Sequence, residues 1–213
     1  MSAAGLLTLA AGAGETFGIS ILAILLGTPL GLLLGLVRWA RVPLADPIVA
    51  VVVSLLRATP SVTLVLLVYF ALPTLGLEIP RFAAAVATLT LGSMAFNCEI
   101  WRGALLAFPA DQLDAARACG MRRGQRLWLI VLPQIMRASL PALVNEMTLL
   151  IKVSPAVAVI GVVDLTRAAV RIGAQTYRPL PPFLVILAVY VVIIGGFVLA
   201  QRMLERRVAG AGA

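Results

Sequence analysis

The chain has 213 residues, of which 62% are hydrophobic and 12% are charged, and its formal net charge at pH 7 is +8. Soluble domains are roughly half apolar, so this composition excludes an ordinary soluble domain and predicts an integral membrane protein. Because the arginines fall between apolar runs, we attribute the positive charge to membrane topology and not to nucleic acid binding.

Five apolar windows are long enough to cross a bilayer, which takes about 20 residues per helix. They predict an all-α membrane protein with five transmembrane helices in one integral membrane domain, residues 1–213, without a sizeable domain outside the membrane. No basic segment precedes the first window, so we expect it to be retained as a span and not cleaved as a signal peptide. The predicted spans are residues 16–37, 48–72, 82–101, 134–163 and 181–201.

The distribution of arginine predicts the orientation of these spans, because basic residues accumulate in cytoplasmic loops. An N-out/C-in arrangement places ten arginines inside and four outside. The inner ones are Arg38, Arg41, Arg102, Arg117, Arg122, Arg123, Arg126, Arg202, Arg206 and Arg207, and the outer ones are Arg81, Arg167, Arg171 and Arg178. We expect residues 164–180 to be an outer loop, either simply solvated or forming a cationic rim for a soluble partner.

Two features of the first two spans predict how they are built. Gly27, Gly31 and Gly35 place three small residues on one helical face, which favours close packing within the chain over a dimer interface. In the second span, Pro60 removes a backbone hydrogen bond, so Thr59 and its neighbours are predicted to line a break in the helix. Ser154 and Pro155 predict a similar break in the fourth span. Transporters commonly form their substrate sites at such paired breaks.

A polar segment at residues 108–131 separates the third and fourth spans. Asp111 is predicted to cap a short helix that follows Pro109, with Asp114 also in its first turn. Alanines 115, 116 and 118 give this helix a smooth flank, and Gly120 is predicted to end it in a left-handed conformation. An interfacial amphipathic helix would need a broad apolar face, so the small residues favour docking into a groove of a partner protein.

Charged side chains at bilayer depth are costly and usually face a protein interior or a water-filled path. The candidates for facing such an interior or path are Arg57, Glu99, Glu146 and Lys152. The alternatives are that Arg57 snorkels to the membrane edge, that Glu99 pairs with Arg102, and that Lys152 pairs structurally. The predicted substrate pathway consists of Arg57, Thr59, Glu99, Asn145, Glu146, Lys152 and Ser154.

The chain contains two cysteines, Cys98 and Cys119, and no histidine. Their spacing indicates neither a disulfide framework nor a zinc site, so we interpret both as small packing residues. No metal or cofactor is predicted.

The segment "DAARACG…VLPQ" resembles the EAA loop of ABC importer permeases, and its surroundings resemble the polar amino acid (histidine/glutamine-type) branch of that family. Further stretches in the family's order cover about half the chain. They are "RATP" at 57–60, "EIWRGAL" at 99–105, "VLPQIMRASLPALVN" at 131–145, "LLIK" at 149–152 and "VIGVVDLTRAA" at 159–169.

The resemblance implies a permease subunit that couples to a cytoplasmic ATPase. It also implies an amino acid substrate, which is zwitterionic, so that Arg57 or Lys152 would bind the carboxylate and Glu99 or Glu146 the ammonium group. The implied coupling residues are Asp114, Ala115, Ala116, Gly120, Leu132 and Pro133. The implied partners are an ATPase dimer, a second permease chain (the same or a homologous one), a periplasmic or extracellular substrate-binding protein and membrane lipid, and the implied location is the bacterial inner membrane. ATP hydrolysis is expected on a partner chain, since no GxxxxGK followed by Ser or Thr occurs in the sequence.

Asp114 stands where the family usually has glutamate, which keeps the charge and shortens the side chain. Four further positions depart from the family's usual residues. Ala58 stands where glycine is preferred, Glu146 where glutamine is common, and Val153 and Pro155 lie in "KVSP" where "KDTS" is usual. Because these positions lie near the predicted pathway, the departures point to a specialised substrate or to a sister chain that binds it.

Two other functions compete with the importer. In a membrane-embedded, metal-dependent transferase, Asp111 and Asp114 would hold a divalent metal, although no further aspartate follows before Asp164. A passive channel would have no use for a docking helix made of small residues.

Overall fold

A computed structural model describes residues 3–210, with side chains for 3–199 and 201–203. This part of the chain is helical throughout and contains no β-strand, which confirms the all-α prediction. A π-helical turn, Arg126–Val131, precedes α7, and a 3₁₀ helix, Ser154–Ile160, follows it. The α-helices are α1 (Ala3–Trp39), α2 (Ala45–Ala58), α3 (Ser61–Thr74), α4 (Arg81–Leu106), α5 (Ala110–Ala118), α6 (Arg123–Gln125), α7 (Leu132–Val153), α8 (Leu165–Thr176) and α9 (Leu180–Gly210).

Four helical stretches within the described residues are long and apolar enough to cross a membrane. They are Ala3–Trp39, Arg81–Leu106, Arg123–Ile160 and Leu180–Met203. The helices α2 and α3 pass the same test only as a pair, bent by 113° at their junction. The described residues therefore contain four candidate spans, or five if this bent pair counts as one.

The break in the second span lies where the sequence predicts it. Thr59 is extended, with φ −81° and ψ 126°, and its N–H donates to the carbonyl of Leu55 at 3.0 Å. Pro60 has no N–H to continue the ladder, so the chain turns and α3 starts at Ser61.

The helix α1 starts at Ala3, well before the predicted span at residues 16–37. Its 37 residues make it about 55 Å long, which exceeds a hydrocarbon core of about 30 Å. The early turns are ordered by packing, since a Cβ on Gly12 would lie 2.9 Å from the carbonyl oxygen of Asp164 and Leu9 is buried. A prediction from hydropathy alone misses these early turns, because contact with another helix of the same chain stabilises them.

The three glycines of α1 pack against α4 of the same chain, as predicted. A Cβ on Gly27 would lie 2.7 Å from Ser93 Cβ, and one on Gly35 would lie 3.1 Å from Trp101 Cβ. The indole N–H of Trp101 donates to the carbonyl of Thr28 at 3.2 Å across the same interface. This contact places α4 beside α1 along most of its length.

The prediction of a loop at residues 164–180 is wrong, because most of this segment forms α8. Asp164 caps this helix: its carboxylate accepts the N–H groups of Thr166 and Arg167, both at 3.0 Å. One face is buried through Leu165, Ala168, Ala169, Ile172 and Gly173. The capping aspartate and the helical spacing of these small and apolar residues favour a helix, although the same segment also contains arginines.

The prediction that both cysteines are small packing residues holds for one of them only. Cys98 is fully buried against Val53 and Ala95, whereas Cys119 is exposed at the end of α5.

Replacement of Gly31 by alanine tests the close contact between α1 and α4. We expect Gly31→Ala to destabilise the bundle by about 1–3 kcal/mol, because overpacking costs that much, and the new Cβ would lie 2.7 Å from Asn97 Cβ. Gly18→Ala on the same helix is the matched control, since its Cβ would meet nothing within 4 Å. Thermal unfolding midpoints in one detergent check this, and equal midpoints for the two variants would contradict the contact.

Candidate functional site

The helix α5 begins differently from the prediction. Its N-cap is Pro109, no side chain forms a capping hydrogen bond, and Asp111 lies in the first turn. The predicted N-cap role of Asp111 is therefore wrong, because Pro109 already turns the chain and α5 starts at Ala110. The carboxylate of Asp111 still lies where it interacts favourably with the helix dipole.

The other end of α5 is as predicted. Gly120 has φ +76°, in the left-handed region that favours glycine. Its N–H donates to the carbonyl of Arg117 at 2.9 Å, and the N–H of Met121 donates to that of Ala116 at 3.1 Å. These two bonds form a Schellman motif, which ends the helix sharply and satisfies two of its last carbonyls.

One face of α5 is fastened to the bundle and the other is free. Leu113 packs against the cluster around Trp101, and Ala116 is buried. Gln134 of α7 donates a hydrogen bond to Gln112 at 2.8 Å. The opposite face is exposed and carries only short side chains and one exposed ion pair, Asp114 with Arg117 at 2.6 Å.

The other predicted coupling residues are divided between α5 and the start of α7. Ala115 and Gly120 are exposed, whereas Leu132 is partly buried in the Trp101 cluster and Pro133 is exposed in the first turn of α7. The structure thus brings α5 and the start of α7 together as one surface element.

A second site is a cavity of about 250 Å³ between α3, α4 and α7. Its polar lining consists of the hydroxyls of Ser61, Thr88 and Ser93 and the carboxylate of Glu146. The remaining lining is apolar or small: Leu64, Leu89, Gly92, Phe96, Leu149, Leu150 and Val153.

Arg57 lies beside this cavity. Its guanidinium carbon is 5.3 Å from the ring centre of Phe96, a distance typical of a cation–π contact. Thr59 lies at the break just before Ser61, and its hydroxyl donates to the carbonyl of Leu55 at 2.8 Å. The break therefore brings the end of α2 next to the cavity wall.

Of the seven predicted pathway residues only Glu146 belongs to the lining, and four of the others are neither in the lining nor at the break beside it. Ser154 is buried, and its hydroxyl donates to the carbonyl of Ile151 at 2.9 Å. Asn145 and Lys152 are exposed on α7, and Lys152 forms no ion pair with any described side chain. Glu99 pairs with Arg38 and, at 2.7 Å, with Arg102, as the alternative interpretation of Glu99 proposed.

Sequence reasoning missed the lining residues of α4. Thr88, Gly92 and Phe96 recur at intervals of four, and Ser93 follows in the same stretch. Polar and small residues at this spacing in an apolar span mark one helical face, and that signal was available.

Asp111 and Asp114, the metal ligands of the transferase alternative, are both exposed, and Asp114 pairs with Arg117. Among the described residues there is no group of three or more His, Cys, Asp or Glu side chains that could hold a metal ion.

The helical spans, the broken second span and the anchored short helix define a multi-pass membrane transport protein. The family described as "Binding-protein-dependent transport system inner membrane component" matches residues 27–210, and the chain belongs to this family. It is thus a permease subunit, a transport component, with ATP hydrolysis located on a partner chain.

Individual relatives are similar over nearly their whole length. The glutamine transport system permease protein GlnP of Escherichia coli (strain K12) is 35% identical over 198 residues, covering 92% of this chain and 90% of the relative. The arginine transport system permease protein ArtQ of Bacillus subtilis (strain 168) is 34% identical over 198 residues, covering 91% and 90%.

Solved structures show the same fold. A chain of an amino acid ABC transporter crystallised with histidines has a TM-score of 0.85 and 33% identity, covering 94% of both chains. The inward-facing MetNI methionine ABC transporter has a TM-score of 0.82 over 98% of this chain and 99% of its own, with 22% identity, and shows the fold alone.

Proposed function

We propose that this chain is the permease subunit of an ATP-driven importer of polar amino acids or amino-acid derivatives in a bacterial inner membrane. The observation that carries the proposal is α5, a nine-residue helix whose exposed face is built of small residues and which ends at a left-handed glycine. The relatives named for glutamine and arginine transport support the substrate class.

In this proposal α5 is the coupling helix. Its exposed face, with Asp114, Ala115 and Gly120, enters a groove of a cytoplasmic ATPase dimer. Leu113 packs the other face against the Trp101 cluster and Ala116 on that helix is buried, so a displacement of α5 reaches α4 and α7. Leu132 and Pro133 fix the start of α7 beside it.

Gly120→Leu tests the coupling helix. A leucine at φ +76° costs about 1–2 kcal/mol of backbone strain, so we expect the Schellman end to open and co-purification of the ATPase to be lost. Gly76→Leu is the matched control, because Gly76 has φ +78°, also has open space around it, and lies in the turn between α3 and α4. Membrane insertion is measured for both variants. Retained ATPase association in Gly120→Leu would contradict the assignment.

The same proposal places the N-terminus outside and α5 inside the cell, following the arginine distribution. Cysteine labelling can report this orientation, since Cys119 is exposed beside α5 and Cys98 is buried.

We expect a membrane-impermeant maleimide to label the protein in inverted membrane vesicles and not in intact spheroplasts. Cys98→Ala should keep this label and Cys119→Ala should lose it. Labelling of Cys119 from outside the cell would overturn the N-out/C-in orientation.

Two further protein partners follow from exposed polar side chains. Asn145 and Lys152 are exposed on a helix of span length, where contact with lipid is costly, so we propose that a second permease chain, the same or a homologous one, covers them. On the outer side, Arg171 on the exposed face of α8 and Arg178 just after that helix are proposed to meet a substrate-binding protein.

The cavity is the proposed substrate site. Its volume of about 250 Å³ is near the lower end of small-molecule pockets, which suits an amino acid. Glu146 would bind the ammonium group, and Arg57 at the cavity wall would attract the carboxylate. Val153 lines the cavity where the family usually has aspartate, which leaves Glu146 as the only carboxylate among the lining residues.

Glu146→Gln tests this site. Loss of a charged hydrogen-bond acceptor should raise the KM for amino acid uptake by about tenfold, measured with a panel of radiolabelled amino acids in proteoliposomes of the complete importer. Glu78→Gln, an exposed carboxylate in the turn between α3 and α4, is the matched control. An unchanged KM in Glu146→Gln would contradict the role of Glu146.

A further inference from the structure

Three charged side chains link α1, α2 and α4 at the end of the bundle that bears α5. Arg38, in the last turn of α1, pairs with Oε1 of Glu99 on α4. Nε of the same arginine lies 3.4 Å from Oδ1 of Asp46 in the first turn of α2. We name Arg38, Asp46 and Glu99 the interhelix ion-pair cluster.

Arg102 also contacts Glu99 but links no helices. Its Nη2 lies 2.7 Å from Oε2 of Glu99, and both residues belong to α4. Each carboxylate oxygen of Glu99 therefore has its own arginine, and only the one that meets Arg38 joins two helices.

The Arg38–Glu99 pair of this cluster is shielded from water, whereas the side chain of Asp46 is 35% exposed. The side chains of Arg38 and Glu99 are 16% and 19% exposed, whereas Asp114 and Arg117 of the ion pair on α5 are 65% and 62% exposed. Exposed pairs contribute little, because water and salt screen them. Breaking a more buried pair leaves an uncompensated charge, which is costly.

The position of the cluster connects the two proposed sites. Glu99 lies two helical turns before Leu106, the last residue of α4, and only residues 107–109 separate α4 from α5. At its other end α2 reaches the break at Thr59 and then Ser61 of the cavity wall.

The helix α2 is attached to α4 at three levels. Asp46 is tied through Arg38 at the start, Val53 is buried against Ala95 in the middle, and Arg57 stacks on Phe96 near the end. The apolar contact in the middle has no strong directional preference, whereas the ion pairs at the start fix the position of α2 along α4.

We propose that Arg38 is a positioning residue for energy coupling, which holds α2 to α4 and thereby carries the displacement of α5 to the broken span and the cavity. This inference rests on the proposed function, in which an ATPase moves α5. Arg38 touches neither the ATPase nor the substrate in this proposal, and it acts through Glu99 and Asp46.

The test compares three variants in proteoliposomes that contain the complete importer. Arg38→Gln removes both interhelix contacts, Arg38→Lys keeps the charge, and Arg102→Gln removes an arginine from Glu99 while leaving every interhelix contact in place. ATP hydrolysis and amino acid uptake are measured in the same vesicles. We expect Arg38→Gln to lower the uptake per ATP by about fivefold, and the other two to stay within about twofold of the wild type.

Hydrogen exchange of residues 45–58 in each purified complex gives a second readout that needs no substrate. We expect faster exchange in Arg38→Gln than in Arg102→Gln and the wild type. Equal uptake per ATP, or equal exchange, in Arg38→Gln and Arg102→Gln would overturn the proposal. Absence of amino acid uptake by the wild type would instead contradict the proposed substrate class, while the exchange comparison still decides whether Arg38 holds α2.

Discussion

The close approach of α1 and α4 is the constraint on which both proposed sites depend. Lipid gives apolar helices no hydrophobic reason to associate, so close backbone packing has to stabilise the bundle. Gly27, Gly31 and Gly35 allow it, because a Cβ at these positions would lie 2.7 Å from Ser93 Cβ, 2.7 Å from Asn97 Cβ and 3.1 Å from Trp101 Cβ. Two of these α4 residues are thereby held beside a proposed site: Ser93 lines the cavity, and Trp101 belongs to the cluster against which α5 packs.

The helix α4 is thus shared by the cavity, the interhelix ion-pair cluster and the seat of α5. Thr88 and Trp101, which bound this region, are 13 residues and about 20 Å apart along the axis. In the proposed coupling, this one helix carries a displacement over that distance. Communication between the proposed ATPase surface and the proposed substrate cavity then runs through α4 and α2.

The parts of this fold that depend on local chemistry could be predicted from the sequence. The break at Pro60 and the left-handed end at Gly120 follow from the backbone properties of two residues, and the glycine face of α1 follows from helical spacing. Features that depend on neighbouring elements could not be predicted in this way. The helix α8 needs α1 as a partner for its buried face, and Pro109 displaces Asp111 as the N-cap. Whether Glu99 pairs with Arg102 or faces the substrate pathway could be decided only from distances in the structure.

The contrast between Glu99 and Glu146 shows how the structure separates two kinds of intramembrane charge. Glu99 has both carboxylate oxygens on arginines, so its charge is compensated within the chain. Glu146 lines a largely apolar cavity and forms no ion pair within 4.0 Å among the described side chains. A carboxylate without an ion pair at this depth is costly unless a group outside the chain binds it. A solute with an ammonium group would do so, and this is the physical reason for proposing that Glu146 binds the substrate and that Glu99 holds the helices together.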